Sequence, residues 1–155
     1  MNKESIQKMF LSDMGCAQMV LGEFAEETGL SIEELNKLGS TFDGGMMRGE
    51  TCGAVIGAYL VIGQLAGYDG PDQLEQKGKM LGLQMKFNEL FREKRESFMC
   101  KELLNADIAT SDGMNQIIEG GLMLEICPCI VMEAVDCLKQ VLAEAKEEET
   151  RKIIR

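Results

Sequence analysis

Apolar residues return at three- and four-residue intervals along nearly the whole chain, and the strict alternation of a half-buried strand is almost absent. That pattern predicts an all-α protein, a helical bundle of about five to seven helices. The first stretch turns Ile6, Met9, Phe10, Met14, Ala17, Val20, Leu21 and Phe24 toward a core, with a kink near Gly15 and a stop at Gly29. Ser31-Ile-Glu-Glu34 is a capping-box signal for a second helix running through Leu35 and Leu38 toward Phe42. A third runs from near Cys52 to Leu65 and is apolar on nearly every face, which makes it the expected central helix. Its glycines, 53, 57 and 63, each cost about 1 kcal/mol relative to alanine in a helix interior. Tight packing, close approach to a cluster or a second subunit would offset that cost, so a homodimer is among the expectations.

Gly67-Tyr-Asp-Gly-Pro71 breaks the pattern, with Pro71 expected in the first turn of a long helix that passes Leu90 and Phe91. Phe98 to Leu104 reads as a further helix carrying Cys100, and the polar stretch from Asn105 to Asn115 as a mobile loop. A last helix follows Cys127-Pro-Cys129, with Val131, Ala134, Val135, Leu138, Val141, Leu142 and Ala145 on one face. It decays into a solvated tail over 147–155, and the whole of 1–155 is expected to form one domain.

Composition narrows the function. The formal charge of −10 repels nucleic-acid backbones and anionic lipid, so neither is an expected partner. The locally basic stretch from Lys86 to Lys101 also carries glutamates and reads as a solvated helix face laced with ion pairs. No apolar run approaches the length of a membrane span, and the first thirty residues lack the apolar core of a signal peptide. The expected compartment is the cytoplasm. There, the six cysteines (Cys16, Cys52, Cys100, Cys127, Cys129 and Cys137) read as thiols, metal ligands or redox couples rather than structural disulfides. The chain contains no histidine, so a transition-metal site would be mostly thiolate, which selects zinc, Cu(I) or iron–sulfur clusters. The usual base of a Cys–His nucleophile is missing too, which disfavours hydrolase chemistry.

Cys52 is the outstanding thiol. A glycine-rich loop, with Gly44, Gly45 and Gly49, delivers it to a helix start whose unpaired N–H groups and dipole stabilise a thiolate, and Arg48 adds a positive charge just upstream. Cys52 is the redox candidate, with Arg48, Gly49 and Gly53 expected around it. Against this stands the plain alternative that cysteines are small buried hydrophobes packed in a helical module. The twelve methionines divide in the same way. Most fill core gaps at helical spacing, while Met46 and Met47 lie in the glycine loop, where thioethers could bind Cu(I).

Four separated pieces of the chain occur in the order of a known pattern: Cys16-Ala-Gln, the stretch from Gly44 through Cys52-Gly-Ala-Val-Ile-Gly to Ala58, Phe98-Met-Cys100-Lys-Glu-Leu-Leu, and Cys127-Pro-Cys-Ile-Val. In these the chain resembles the redox-active proteins named for their C, GCAxxG, C, C cysteine pattern. The resemblance implies that Cys16, Cys52, Cys100 and Cys127 form the site, with Cys129 as a substitute for the last. Asp43, where a third glycine is common, and the additional Cys129 and Cys137 depart from the pattern. Members are often encoded beside oxidoreductase or transporter genes, which implies a redox partner of that kind. A related domain occurs in a multihaem cytochrome with an iron–sulfur centre. No haem is implied here, because the chain has neither a CxxCH motif nor a histidine.

The first functional expectation is therefore a thiolate site holding an iron–sulfur cluster, [2Fe–2S] in preference, or another thiophilic metal, for electron transfer. The ferredoxin spacings are clustered and these are not, so the resemblance rather than the spacing carries that expectation. A metal-free thiol/disulfide partner of an oxidoreductase is the alternative, with Cys52 attacking and Cys127 or Cys129 resolving. A structural or zinc-binding helical module is the third.

Overall fold

The computed structural model describes residues 1–153. At its centre lies α5 (Gly53–Ala66), the helix whose sequence is apolar all round. It packs against α2 (Cys16–Glu23), α3 (Ala25–Thr28), α6 (Leu74–Lys94) and α10 (Cys127–Ile153). Gly53, Ala54, Gly57 and Ala58 let α2 come close: a Cβ on Gly57 would stand 2.9 Å from Val20 Cβ and 3.0 Å from the Ala17 carbonyl oxygen. The glycine stripe of α5 is thus used inside the chain at 53 and 57, and only Gly63 faces open space. Phe24, Phe87, Phe91, Met19 and Leu138 fill the core around it.

The remaining helices are α1 (Lys3–Phe10), α4 (Ile32–Gly39), α7 (Cys100–Leu104), α8 (Ser111–Glu119) and α9 (Leu122–Glu125). The described residues thus form an all-α structure of ten helices and no strand, more helices than the five to seven expected. The excess comes from short pieces and local breaks. The expected first helix is cut where Asp13 takes φ 61°, a left-handed conformation that ends α1 and leaves Cys16 opening a new helix instead of sitting within one. Gly29, left-handed at φ 69°, ends α3 as expected. Ser31 caps α4 in a full capping box, its hydroxyl accepting from the Glu34 N–H while the Glu34 carboxylate accepts from the Ser31 N–H.

Two expectations are corrected. Pro71 lies in a turn ahead of α6, which begins only at Leu74 because Asp72 at φ 58° interrupts the chain. The polar stretch from Asn105 is not loop throughout: Thr110 caps α8, its hydroxyl accepting from the Gly113 N–H at 3.0 Å. The expected tail is an exposed continuation of α10 as far as Ile153, and its last two residues, 154 and 155, lie outside the described residues. No helix among the described residues is long and apolar enough to cross a membrane.

Candidate functional site

Each of the four family-pattern cysteines stands at the beginning of a helix. Cys16 is the first residue of α2, Cys52 the residue capping α5, Cys100 the first of α7 and Cys127 the first of α10. The chain folds this way for local reasons. Gln18 accepts the Gly15 N–H through its side chain at 2.8 Å and donates to the Asn36 carbonyl at 2.9 Å, which fixes the start of α2 against α4. Thr51 and Met99 pair as a short antiparallel bridge. In it the Cys52 N–H donates to the Phe98 carbonyl at 2.8 Å and the Cys100 N–H to the Glu50 carbonyl at 2.7 Å, so two cysteines far apart in sequence are held side by side. Phe98 is itself held by stacking on Phe91, with ring centroids 5.5 Å apart. At the start of α10, Pro128 lacks an N–H and separates α10 from α9 at Cys127.

All four thiols line one cavity of about 340 Å³. Its other walls are mostly apolar, among them Phe10, Ile108 and Ile130, and the thioethers of Met14, Met47, Met114 and Met123 also face it. Cys16 is buried between neighbours: its thiol is held well above the ordinary value by hydrogen bonding to the Cys127 and Cys52 sulfurs, then by burial. The reciprocal effect lowers Cys52. The hydrogen bond from Cys16 favours its thiolate most, and the Ala54 and Val55 N–H groups at the start of α5 and the Arg95 guanidinium add to this against the cost of burial. Burial pushes Cys100 up to about 12. The two neighbours are thus pushed in opposite directions, Cys52 toward the thiolate and Cys16 toward the thiol.

The cation near Cys52 is not the one its sequence neighbourhood suggested. Arg48 is exposed on the loop, whereas Arg95, at the end of α6, bears on Cys52 and is fixed by a bidentate pair to Glu133 at 2.6 and 3.0 Å. Arg95 escaped the sequence reading because nothing near it marks a site. Gly53 lines the cavity, and a Cβ there would reach 3.2 Å from Cys16 Cβ and 2.8 Å from the Phe42 carbonyl oxygen. Gly49 stands back from it in a left-handed turn at φ 66°. That turn is unusual: Gly44, Gly45, Met46 and Met47 are successively left-handed, the two methionines at φ 60° and 54°. Left-handed conformation costs an ordinary residue roughly 1–2 kcal/mol. It places Met47, but not Met46, on the cavity wall.

Asp43 also lines the cavity. Its carboxyl lies where a Cβ on Gly15 would fall, so a side chain at 15 would push the Asp43 carboxyl aside. Burial raises its pKa, partly offset by the Cys16 N–H, and its Oδ1 has no hydrogen-bond partner. The two other cysteines are elsewhere. Cys129 is partly exposed, its thiol donating to the Glu125 carbonyl at 3.9 Å, and Cys137 is buried in the core with its pKa raised by that burial. All six are free thiols.

Residues 14–141 match the family model described as "Putative redox-active protein (C_GCAxxG_C_C)". The chain belongs to this family. Its match spans every cysteine and both halves of the Thr51–Met99 bridge. No curated protein and no solved structure matches the chain.

The donor set can be tested against a metal. Among the described residues no group of three or more Cys, His, Asp or Glu is gathered as a single ion requires. Four thiolates are also the donor set of a polynuclear centre, and here the four thiols line one cavity.

Proposed function

We propose that the chain is a redox-active protein whose cavity holds an iron–sulfur cluster on Cys16, Cys52, Cys100 and Cys127, and that it passes single electrons to an oxidoreductase. The observation that supports this reading is that four thiols, each from the start of a different helix, face one mostly apolar cavity in a chain without histidine. A cluster supplies a one-electron couple, and its four thiolate ligands bring negative charge that the protein must offset. The N–H groups of Ala54 and Val55 and the Arg95 guanidinium offset part of it at Cys52, while the apolar walls exclude water. The chain as a whole is acidic, so that compensation has to be local.

Anaerobic purification and reconstitution with iron and sulfide test the reading. The expected result is iron in the protein and thiolate-to-iron absorption in the visible, both lost in Cys52→Ser. A colourless wild-type protein without iron after reconstitution would overturn it.

A second reading is favoured by one observation, the opposed pKa shifts of Cys16 and Cys52. In a metal-free protein the Cys52 thiolate would attack a partner's disulfide, forming a mixed disulfide and releasing one partner thiolate. Cys16, after giving up its proton, would displace the second partner thiolate and leave a Cys16–Cys52 disulfide. Mass spectrometry of the iron-free, oxidised protein distinguishes this reading by a reversible loss of two hydrogen atoms, mapped to those residues.

A further inference from the structure

The outward face of α6 carries Leu74, Leu81 and Met85, exposed by 82, 40 and 70 %. With 3.6 residues per turn they fall along one line, and Gly78 lies on it between them. The opposite face of the same helix supplies Phe87, Leu90 and Phe91 to the core, so the exposed line is not a misplaced core face. Exposed Leu65 and Tyr68 at the end of α5 extend the apolar surface beside the start of α6, where Gln76 holds the Ala66 carbonyl at 2.8 Å.

Gly78 and Gly82 sharpen the question. Glycine is the least favourable residue short of proline in a helix interior, and a Cβ at either position would meet nothing within 4 Å. Nothing within the described chain therefore calls for glycine there. Two glycines four apart form a shallow notch at which another backbone can come close, flanked by side chains large enough to fill the notch of a facing copy.

We propose that this face seats a second copy of the chain, with the two α6 helices antiparallel about a two-fold axis near Met80. In that register Leu74 lies opposite Met85 and Gly78 opposite Leu81, so the leucine of each copy enters the glycine notch of the other. Charge selects the same orientation. Glu75 and Lys86 stand on one flank of the line, and the antiparallel register brings each near its opposite charge on the other copy, twice by symmetry. A parallel two-fold pair would put the flank bearing Glu75 and Lys86 on opposite sides of the contact in the two copies and lose both charge pairings. Both side chains are exposed and held only in pairs along the surface, Glu75 with Lys79 at 3.1 Å and Lys86 with Glu89 and Glu144 at 3.9 and 3.7 Å, which can be exchanged. The face is separate from the thiol cavity, and the proposal holds whichever group that cavity takes.

Sedimentation velocity of the full chain, at concentrations up to about 200 µM, tests it. The wild type should sediment as a dimer. Gly78→Lys should weaken self-association by more than about tenfold, because a lysine stem fills the notch. In the isolated chain the same lysine enters open space and improves helix propensity, so circular dichroism and the melting temperature should be kept or raised. Glu75→Lys alone should weaken the dimer, and Glu75→Lys with Lys86→Glu should restore it. A monomeric wild type at the highest concentration, a dimer indifferent to Gly78→Lys, or a double charge reversal that fails to restore association would each overturn the proposal.

Discussion

Alanine at Gly57 should destabilise the fold, while alanine at Gly63 in the same helix should stabilise it. Intrinsic propensity gives both replacements the same gain, about 1 kcal/mol, because an interior glycine is the poorer helix former. The surroundings differ. At 63 the new methyl group meets nothing within 4 Å, whereas at 57 it would press on Val20 Cβ at 2.9 Å and the Ala17 carbonyl at 3.0 Å. Neither neighbour is the free end of a flexible side chain, so α2 has to move. Overpacking of this kind costs about 1–3 kcal/mol, which leaves Gly57→Ala destabilised by up to about 2 kcal/mol after the propensity gain. The two variants should then differ by about 1–3 kcal/mol in urea unfolding, or by roughly 2–4 °C in melting temperature per kcal/mol for a chain of this size. Gly53→Ala adds a functional arm, since its methyl group would press on Cys16 Cβ at 3.2 Å and shift Cys16 against Cys52. It should change the alkylation rate of Cys52, which Gly63→Ala leaves alone. Equal stability changes at 57 and 63 would refute the claim that close α2–α5 contact explains the glycines.

Arg95→Gln should slow alkylation of Cys52 near neutral pH and Arg95→Lys should partly restore it, whereas Arg48→Ala should leave the rate unchanged; a pH–alkylation profile decides. Cys100 carries its pKa from the ordinary 9.0 up to about 12, so the unfolded chain gives up this proton first as pH rises. The stability it contributes is present below pH 9 and should be lost between 9 and 12, and Cys100→Ala should flatten that part of the stability–pH curve measured by denaturant titration. Ser31→Ala removes the α4 cap and should cost about 1 kcal/mol in urea unfolding without altering Cys52 reactivity.

Helical periodicity and local signals made much of the fold legible. The apolar run from Gly53, the Ser31 capping box and the Gly29 stop all lie within a few consecutive residues, and each appears as read. Misreadings fall where conformation depends on a single left-handed residue. Asp13 and Asp72 are ordinary turn residues in sequence, and nothing in their side chains announces that one splits α1 from α2 and the other delays α6 past Pro71. Thr110 was a usable cap signal hidden in a polar stretch. The cysteine set was legible through family pattern, but its electrostatics were not. Arg95 comes near enough for its charge to act on Cys52 through tertiary structure, with the Thr51–Met99 bridge and the stacking of Phe98 on Phe91 holding the segment after α6 beside Cys52. Proximity in sequence instead favoured Arg48, which the left-handed turn leaves in solvent.

The four thiols enter the cavity from positions 16, 52, 100 and 127, which gives the site an order of assembly. A chain made from its N-terminus presents Cys16 and Cys52 before Cys127 exists, and the last wall arrives only when α10 docks on α2 and α5. Until then the thiols that come to line one cavity are separate, exposed and open to oxidants or stray metal. Each contact across the cavity also closes a long loop of chain, the slow kind of contact to form. The site is consequently a late product of folding, and a variant that loosens α10 far from any cysteine should yield protein with mispaired or overoxidised thiols even where its secondary structure is complete.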